Sequence, residues 1–224
     1  MTLKMERVVQ WKLIAKELAR HMPFTAFGAL TGITFMLIIA LGGFIDQISP
    51  AAENIFYVLH PAHIVLSAMV TTAIYRLHSN GRLWAAILIG YTGAILIATL
   101  SDAVIPYLGE MLLDLPNRGI HIGFIEKWWL VNPLAFLGIT IGYWRPTTRF
   151  PHAGHVLIST WASLFHIIMA LGATVNWIQV LAIFLFLFLA VLIPCCMSDI
   201  VYPLLFVREG KGHNHNKGES SEKR

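Results

Sequence analysis

Six long stretches of this chain contain almost no charged residues, and their length is the feature that most constrains the fold. A helix rises about 1.5 Å per residue, so about twenty residues cross the roughly 30 Å hydrocarbon core of a bilayer. The stretches are continuously apolar and do not alternate, which indicates helices and not barrel strands. They run from Pro23 to Phe44, Asn54 to Tyr75, Leu83 to Leu100, Trp128 to Trp144, His152 to Gly172 and Ile178 to Val207.

The overall composition supports a membrane fold. Of 224 residues, 57% are hydrophobic and 12% are charged, whereas a soluble domain carries about 25% charged residues. A soluble fold could not bury that much apolar surface. We therefore predict an all-α, polytopic membrane bundle of about six transmembrane helices. The lipid bilayer is its first expected partner, nucleic acid is not expected, and an oligomer is left open.

Lysines and arginines fall in alternate connections, and this pattern predicts the orientation. They occur in the N-terminal arm, after the second span, after the fourth span and in the tail, whereas the connection after the first span has none. By the positive-inside rule, this is a multi-pass protein of the cell membrane with both termini cytoplasmic. Residues 1–22 are predicted to form an interfacial helix, or an extension of the first span, and residues 208–224 a disordered tail.

Two short motifs each occur twice, in the same order. His60 to Ser67 and His152 to Ser159 both read H-x-x-H-x-x-x-S. Ser101 to Pro106 and Ser198 to Pro203 both read S-D-x-x-x-P. Histidine and aspartate are scarce in the spans, so coincidence explains the pattern poorly. The repetition indicates a duplicated three-helix unit.

The units are predicted to cover residues 23–114 and 128–207, with a non-cytoplasmic connector at residues 115–127. Each unit has an odd number of spans, so the two units must lie in the membrane with opposite orientations. Such inverted repeats are common among secondary transporters. Small residues in the first span of each unit are expected to allow close helix packing; they are Gly28, Gly32, Gly138 and Gly142.

The repeated residues are candidate metal ligands. Residues i, i+3 and i+7 share one helical face, and ionisable side chains at membrane depth are usually functional or paired. Imidazoles and a carboxylate suit a divalent transition metal, most plausibly zinc. The predicted ligands are His60, His63 and Asp102 toward the outer face, and His152, His155 and Asp199 toward the cytoplasmic face. The predicted supporting residues are Ser67, Ser159 and His166, the last as a fourth ligand of the first cluster.

Neighbouring residues modify this prediction. Cys195 and Cys196 precede Asp199 closely and would make the second cluster softer. Glu110 and Asp114 are expected to be solvated on the outer loop. The alternative to metal binding is structural, because histidines in membrane helices also hold bundles together by hydrogen bonds, and one H-x-x-H pair is a weak metal signal. The second copy favours the metal.

Three functions are compatible with these residues. The favoured one is a transporter or permease for a divalent transition-metal cation, with proton coupling as an option because protonated histidines release metal. The alternative is an intramembrane zinc-dependent hydrolase that acts on a lipid or peptide. The third is a binding or quinone-haem protein with axial histidines. No phosphate-binding loop, nucleophile elbow or H-E-x-x-H motif is present, so nucleotide-driven pumping is not supported.

The hydrolase alternative rests partly on a resemblance. Histidine, aspartate and serine close to a membrane surface resemble the residue types of the membrane ceramidase and adiponectin-receptor-like hydrolases. The resemblance is limited to residue types, since those families have more spans, different motif spacing and one site. It therefore implies a possible zinc chemistry and no membership.

Overall fold

The computed structural model describes residues 2–79, 82–146, 149–172, 175–196 and 201–206, and within them all side chains except those of residues 2–14, 16–18, 20, 21, 46, 149–152 and 196. Every regular element in this part of the chain is helical. The elements are α1 (Thr2–Leu41), α2 (Ile45–His78), α3 (Leu83–Thr99), a π-helical turn (Leu100–Val104), α4 (Ile105–Leu112), α5 (Gly123–Glu126), α6 (Trp128–Trp144), α7 (Arg149–Ala170), α8 (Trp177–Cys196) and α9 (Tyr202–Leu205).

Among the described residues, five helical stretches are long and apolar enough to cross a membrane. This supports the predicted helical membrane bundle. The helix α6 begins and ends where the fourth span was predicted, but it has 17 residues, about 26 Å of helix. The count of six spans therefore stays a prediction. The five stretches are Met22–Leu41, Gln47–His78, Leu83–Leu112, Ala153–Ala170 and Trp177–Cys195.

The N-terminal arm and the first span form one helix. Helix α1 has 40 residues and continues through Pro23, which gives a length of about 60 Å, roughly twice the hydrocarbon thickness. The arm is thus an extension of the first span, the second of the two arrangements considered above. Its placement on the membrane surface stays a prediction.

Helices α2 and α7 pack against each other at the centre of the bundle. Each also packs against the first helix of the other predicted unit, because α1 lies against α7 and α6 lies against α2. Helix α1 has few contacts with α2, its neighbour in sequence. The largest buried apolar cluster joins α1, α2, α7 and α8, and it includes Met36, Phe56, Leu164 and Leu187. The two predicted units therefore share one core.

Two glycines set the separation between α6 and α2. A Cβ atom on Gly138 would overlap the carbonyl oxygen of Val65, and one on Gly142 would overlap that of Met69. Both obstacles are backbone atoms, which cannot turn aside as a side chain can. The expectation that small residues permit close packing is met here, where van der Waals contact between backbones replaces the side-chain layer.

Replacing Gly138 with alanine should destabilise the protein by about 1–3 kcal/mol, because α6 would have to move away from α2. The measurement is thermal unfolding in detergent, followed by circular dichroism. Gly154→Ala in α7 is the matched control, since its added Cβ would meet nothing nearer than Leu66 Cδ1 at 3.5 Å. It should be neutral or stabilising by up to about 1 kcal/mol, the difference in helix propensity. Equal unfolding temperatures for the two variants would contradict the assignment.

Candidate functional site

The site lies where α2 and α7 run antiparallel. The rings of His63 and His155 are stacked, with centroids 5.4 Å apart and planes 7° from parallel. Further along, Phe56 of α2 meets His166 of α7, with centroids 5.3 Å apart. Residue numbers therefore fall along one helix as they rise along the other. As a result, the second histidine of one H-x-x-H motif faces the second histidine of the other motif.

A local break in the third helix brings Asp102 to this crossing. Pro106 stands four residues after Asp102, and a proline ring in an α-helix clashes with the carbonyl group four residues before it. The backbone avoids this clash by widening into the π-helical turn Leu100–Val104, in which Ile105 N–H donates to the Leu100 carbonyl oxygen. Such turns occur often at functional sites. The spacing S-D-x-x-x-P thus positions its own aspartate.

The carboxylate of Asp102 accepts four hydrogen bonds and is fully buried. His60 Nδ1 and His63 Nδ1 lie 3.0 and 2.7 Å from Oδ2. The Ser101 and Ser159 hydroxyls both donate to Oδ1 at 2.7 Å. A carboxylate in a membrane interior needs this many donors to replace water. Asp102 therefore holds α2, its own π-helical turn and α7 together; we call these five side chains the Asp102 network.

The network fixes the tautomers of its histidines. A carboxylate can only accept, so the Nδ1 atoms of His60 and His63 carry the protons and their Nε2 atoms keep the lone pairs. An imidazole held by a carboxylate in this way is oriented as a metal ligand. Asp102 is therefore placed to act on a cation at His63 through the imidazole ring, and its role as a direct ligand stays a prediction.

A histidine–cysteine site adjoins the Asp102 network. One ligand atom from each of His63, His155 and Cys195 lies within 4.8 Å of the other two. Their exposed fractions are 1%, 0% and 1%. The residues come from α2, α7 and α8, so three helices must pack together before this site exists. Among the described residues, this is the group of three ligand atoms close enough together to hold one metal ion.

His60 carries a buried ring nitrogen without a partner among the described residues. Its Nε2 atom accepts no hydrogen bond, and a Cβ atom added to Gly123 would lie 3.0 Å from it and 2.6 Å from Cδ2. The ring is thus covered by backbone from the segment between α4 and α6. An unsatisfied buried acceptor of this kind costs about 1–3 kcal/mol and calls for an explanation.

Of the first predicted cluster, His60, His63 and Asp102 do converge. The second is described only in part. Residues 197–200, and with them Asp199, lie outside the described residues, as does the side chain of His152. His155 was expected at the opposite membrane surface from His63 but stacks on it. The reason is the antiparallel packing of α2 and α7, which places His63 and His155 at the same depth in the bundle.

The supporting serines differ in their surroundings. Ser159 was expected to serve the second cluster, but it binds Asp102 of the first unit. Ser163, one turn further along α7, donates to the Ser101 carbonyl oxygen at 3.0 Å. Ser67 is buried in α2. The hydroxyl groups of α7 therefore join the two predicted units at the π-helical turn.

His166 does not join the first cluster. Its Nδ1 atom lies 2.7 Å from Oε1 of Glu110. The ring of Phe56 lies between His166 and His60 and is stacked on the ring of His60.

Glu110 is 1% exposed, so the prediction that it is solvated was wrong. Helix α4 continues the third helix beyond Pro106 and carries Glu110 into the bundle. Asp114 is exposed and pairs with Arg118 at 2.9 Å, as expected for a loop.

Sequence reasoning gave no role to His121 and Phe56. The ring of His121 lies 5.5 Å from that of His166, and Phe56 contacts both of these rings and that of His60. The sequence does contain a weak signal for the region. In the segment from Gly119 to Gly123, a glycine stands two residues before His121 and another two residues after it, in a predicted loop, and glycines often mark close backbone approach.

Comparison of the chain with protein-family models, with curated proteins and with solved structures finds no match.

Asp102→Asn should lower stability by about 3 kcal/mol or more, because its amide group must turn N–H toward the buried donors of the network. Ser159→Ala removes one of the four donors and should cost about 1 kcal/mol. Thermal unfolding of both purified variants in detergent measures the difference. If Asp102→Asn proves no more harmful than Ser159→Ala, the carboxylate is not the centre of the network.

Proposed function

We propose that this protein is a membrane permease for a divalent transition-metal cation, which binds at the histidine–cysteine site. The observation that carries the proposal is the convergence of His63, His155 and Cys195 within 4.8 Å of one another. Imidazole nitrogen and thiolate sulphur are the ligand types that zinc and similar transition metals take in proteins.

The ligand types favour zinc or a similar soft cation. Zinc takes imidazole nitrogen and thiolate sulphur, usually four ligands in tetrahedral array. Calcium and magnesium prefer oxygen ligands. Three protein ligands leave one position for water or an incoming group, as in sites that exchange what they bind. Sulphur at one position shifts the preference from manganese toward zinc and its neighbours.

Charge balance supports the same conclusion. Moving a divalent cation into a low-dielectric interior is costly unless negative groups neutralise it. The thiolate of Cys195 supplies one negative charge, and Asp102, hydrogen-bonded to His63 at 2.7 Å, supplies the second. Cation, thiolate and carboxylate together are neutral, with Asp102 acting through the imidazole. The carboxylate therefore both orients His63 and lowers the cost of the cation.

Transport, as distinct from binding, is favoured by the helix arrangement. In transporters built from inverted repeats, substrate sites lie at the interface between the repeats and beside interrupted helices. Here the candidate ligands lie between α2 and α7, the middle helices of the two predicted units, and beside the π-helical turn. A second π-helical residue, Val201, precedes α9, which has Pro203 near its start as α4 has Pro106. Six spans in two inverted units complete the proposed architecture.

The hydrolase alternative receives less support from the hydrogen bonds. A serine nucleophile needs its hydroxyl to donate to a histidine. The Ser101 and Ser159 hydroxyls instead lie 2.7 Å from Asp102 Oδ1. Their protons are thus directed at the carboxylate. These bonds argue against a serine nucleophile and leave the metal-activated water of a zinc-dependent hydrolase as the alternative; the helix arrangement described above is the reason that we favour transport.

In vesicles that contain the purified protein, His63→Ala and Cys195→Ser should each reduce zinc entry by about tenfold or more, as loss of a ligand or of its orientation does. A zinc-sensitive dye inside the vesicles reports the flux. His78→Ala is the matched control, because His78 lies on the same helix but is exposed, and its Nδ1 atom bonds to the Ile74 carbonyl oxygen of that helix. No flux of zinc, cobalt, nickel or manganese by the wild-type protein would eliminate the proposal.

Binding can be measured separately with cobalt as a coloured substitute for zinc. A cobalt–thiolate bond gives a charge-transfer absorption that cobalt–imidazole bonds lack, so the wild-type protein should show this band on titration. Cys195→Ser should abolish the band, and Cys196→Ser is the control that should leave it, because the proposed ligand is Cys195. The opposite result would move the site to the neighbouring cysteine, and a band absent from all three proteins would leave no thiolate ligand.

A further inference from the structure

A second polar cluster lies beyond Phe56 and is separate from the histidine–cysteine site. Its core is the pair Glu110 and His166, whose side chains are 1% and 0% exposed and meet at 2.7 Å. Phe56 stacks on His60 with centroids 5.2 Å apart and lies edge-on to His166. One apolar ring thus divides two groups of titratable side chains.

The segment between α4 and α6 is held to this pair by its backbone. This segment is residues 113–127, which includes the predicted connector of residues 115–127. From here on, the name connector refers to residues 113–127. Gly119 N–H donates to Glu110 Oε2 at 3.3 Å, and His121 N–H donates to His166 Nε2 at 3.4 Å. Beyond these contacts, Gly123 rests on the His60 ring. The same segment therefore binds the Glu110–His166 pair and covers the Asp102 network.

The contact from His121 fixes the protonation state of the pair. A backbone N–H can only donate, so Nε2 of His166 must be the nitrogen without a proton. Its Nδ1 atom then carries the proton and donates to Glu110, which accepts as a carboxylate. The closed connector thus requires a neutral histidine and an ionised glutamate. Both amide contacts are long for hydrogen bonds, so modest changes would break them.

We propose that Glu110 and His166 form a proton-binding site that keeps the connector closed until the pair takes up a proton. A proton from solvent that adds to His166 Nε2 turns this acceptor into a donor, and the His121 N–H contact is lost. A proton that adds to Glu110 instead weakens the Gly119 N–H contact, because a neutral carboxyl group is a poorer acceptor. Either event releases the backbone that leads to Gly123.

Other titratable groups surround the pair. Glu53 and Tyr57 face the cluster from α2, Glu126 from α5, and His121 and the Arg118–Asp114 ion pair from the connector itself. Burial and the neighbouring His166 lower the pKa of His121. This side chain therefore resists protonation in the closed state, and acid acts against closure through it as well. A test must therefore distinguish protonation of the His121 side chain from loss of the contact that the His121 backbone N–H makes with His166.

The consequence for transport rests on the proposed function: release of the connector would uncover His60 and open the cation path on one side of the membrane. Proton uptake and cation access would then be linked by the segment that both sites contact. Its position on the non-cytoplasmic side follows the predicted topology. A low pH on that side would favour the open connector.

Hydrogen exchange followed by mass spectrometry tests the proposal on the full-length protein in detergent, without metal. After correction for intrinsic rates, the connector should lose about tenfold of its protection between about pH 8 and pH 5, while α6 should not change. Glu110→Gln and His166→Gln should each remove most of this pH dependence and leave the smaller part that acts through the His121 side chain. His121→Gln, which keeps the backbone N–H, should retain it.

Three results would overturn the proposal: connector protection that is equal at the two pH values, a pH response that persists undiminished in both Glu110→Gln and His166→Gln, or one that disappears in His121→Gln. The wild-type comparison needs no substitution, so it decides the matter even if a variant fails to fold. Because metal is absent, the result is independent of transport. Zinc flux with an unresponsive connector would reject this inference alone, and a responsive connector without flux would reject the permease alone.

Discussion

A carboxylate placed among apolar helices has to find donors to replace water, and most of the bundle's inner structure follows from how Asp102 does so. Two histidines of α2, a serine of its own turn and a serine of α7 supply them. Since these donors come from distant parts of the sequence, the network forms only when α2, α7 and the third helix are in register. The same bonds orient His63 toward His155 and Cys195. The Asp102 carboxylate therefore both holds the helices in register and orients the candidate ligand His63.

The antiparallel contact of α2 and α7 explains why polar residues collect in one region. The middle helices of the two predicted units meet with their second histidines at the same level. The described members of the two predicted clusters thus belong to one set of polar groups, in which the ring of Phe56 lies between His60 and the His166–Glu110 pair. Any cation or proton that acts at one end of this set changes the field at the other, because the intervening medium has a low dielectric constant.

Much of this arrangement could be read from the sequence, and the reason is periodicity. Apolar runs indicated the helices, and the i and i+3 spacing put His60 and His63 on one face. The relative position of two packed helices along their axes could not be predicted from periodicity. It depends on contacts such as Gly138 against the Val65 backbone, which involve residues far apart in sequence. For this reason the neighbourhood of His155 was missed.

The burial of Glu110 was missed for a related reason. Its segment contains Pro106, Gly109 and Asp114, which together suggest a loop, yet the π-helical turn allows the helix to continue to Leu112. Once it does, Glu110 faces His166 on α7. A local pattern reports whether the backbone can be helical, but the partner of a side chain is decided by which other helix lies opposite.

The exchange of partners between the two predicted units also has a consequence for biosynthesis. Helix α2 finds its main neighbours in α6 and α7, and α1 finds its neighbours in α7 and α8, so the first half of the chain enters the membrane long before the surfaces that will cover it exist. During this interval Asp102 lacks the Ser159 hydroxyl and the glycine-faced helix that fits α2 is absent. The nascent protein must therefore hold its polar groups by other means, through water, lipid headgroups or the insertion machinery, until the ribosome delivers the seventh helix. Assembly of the bundle is a late, single event.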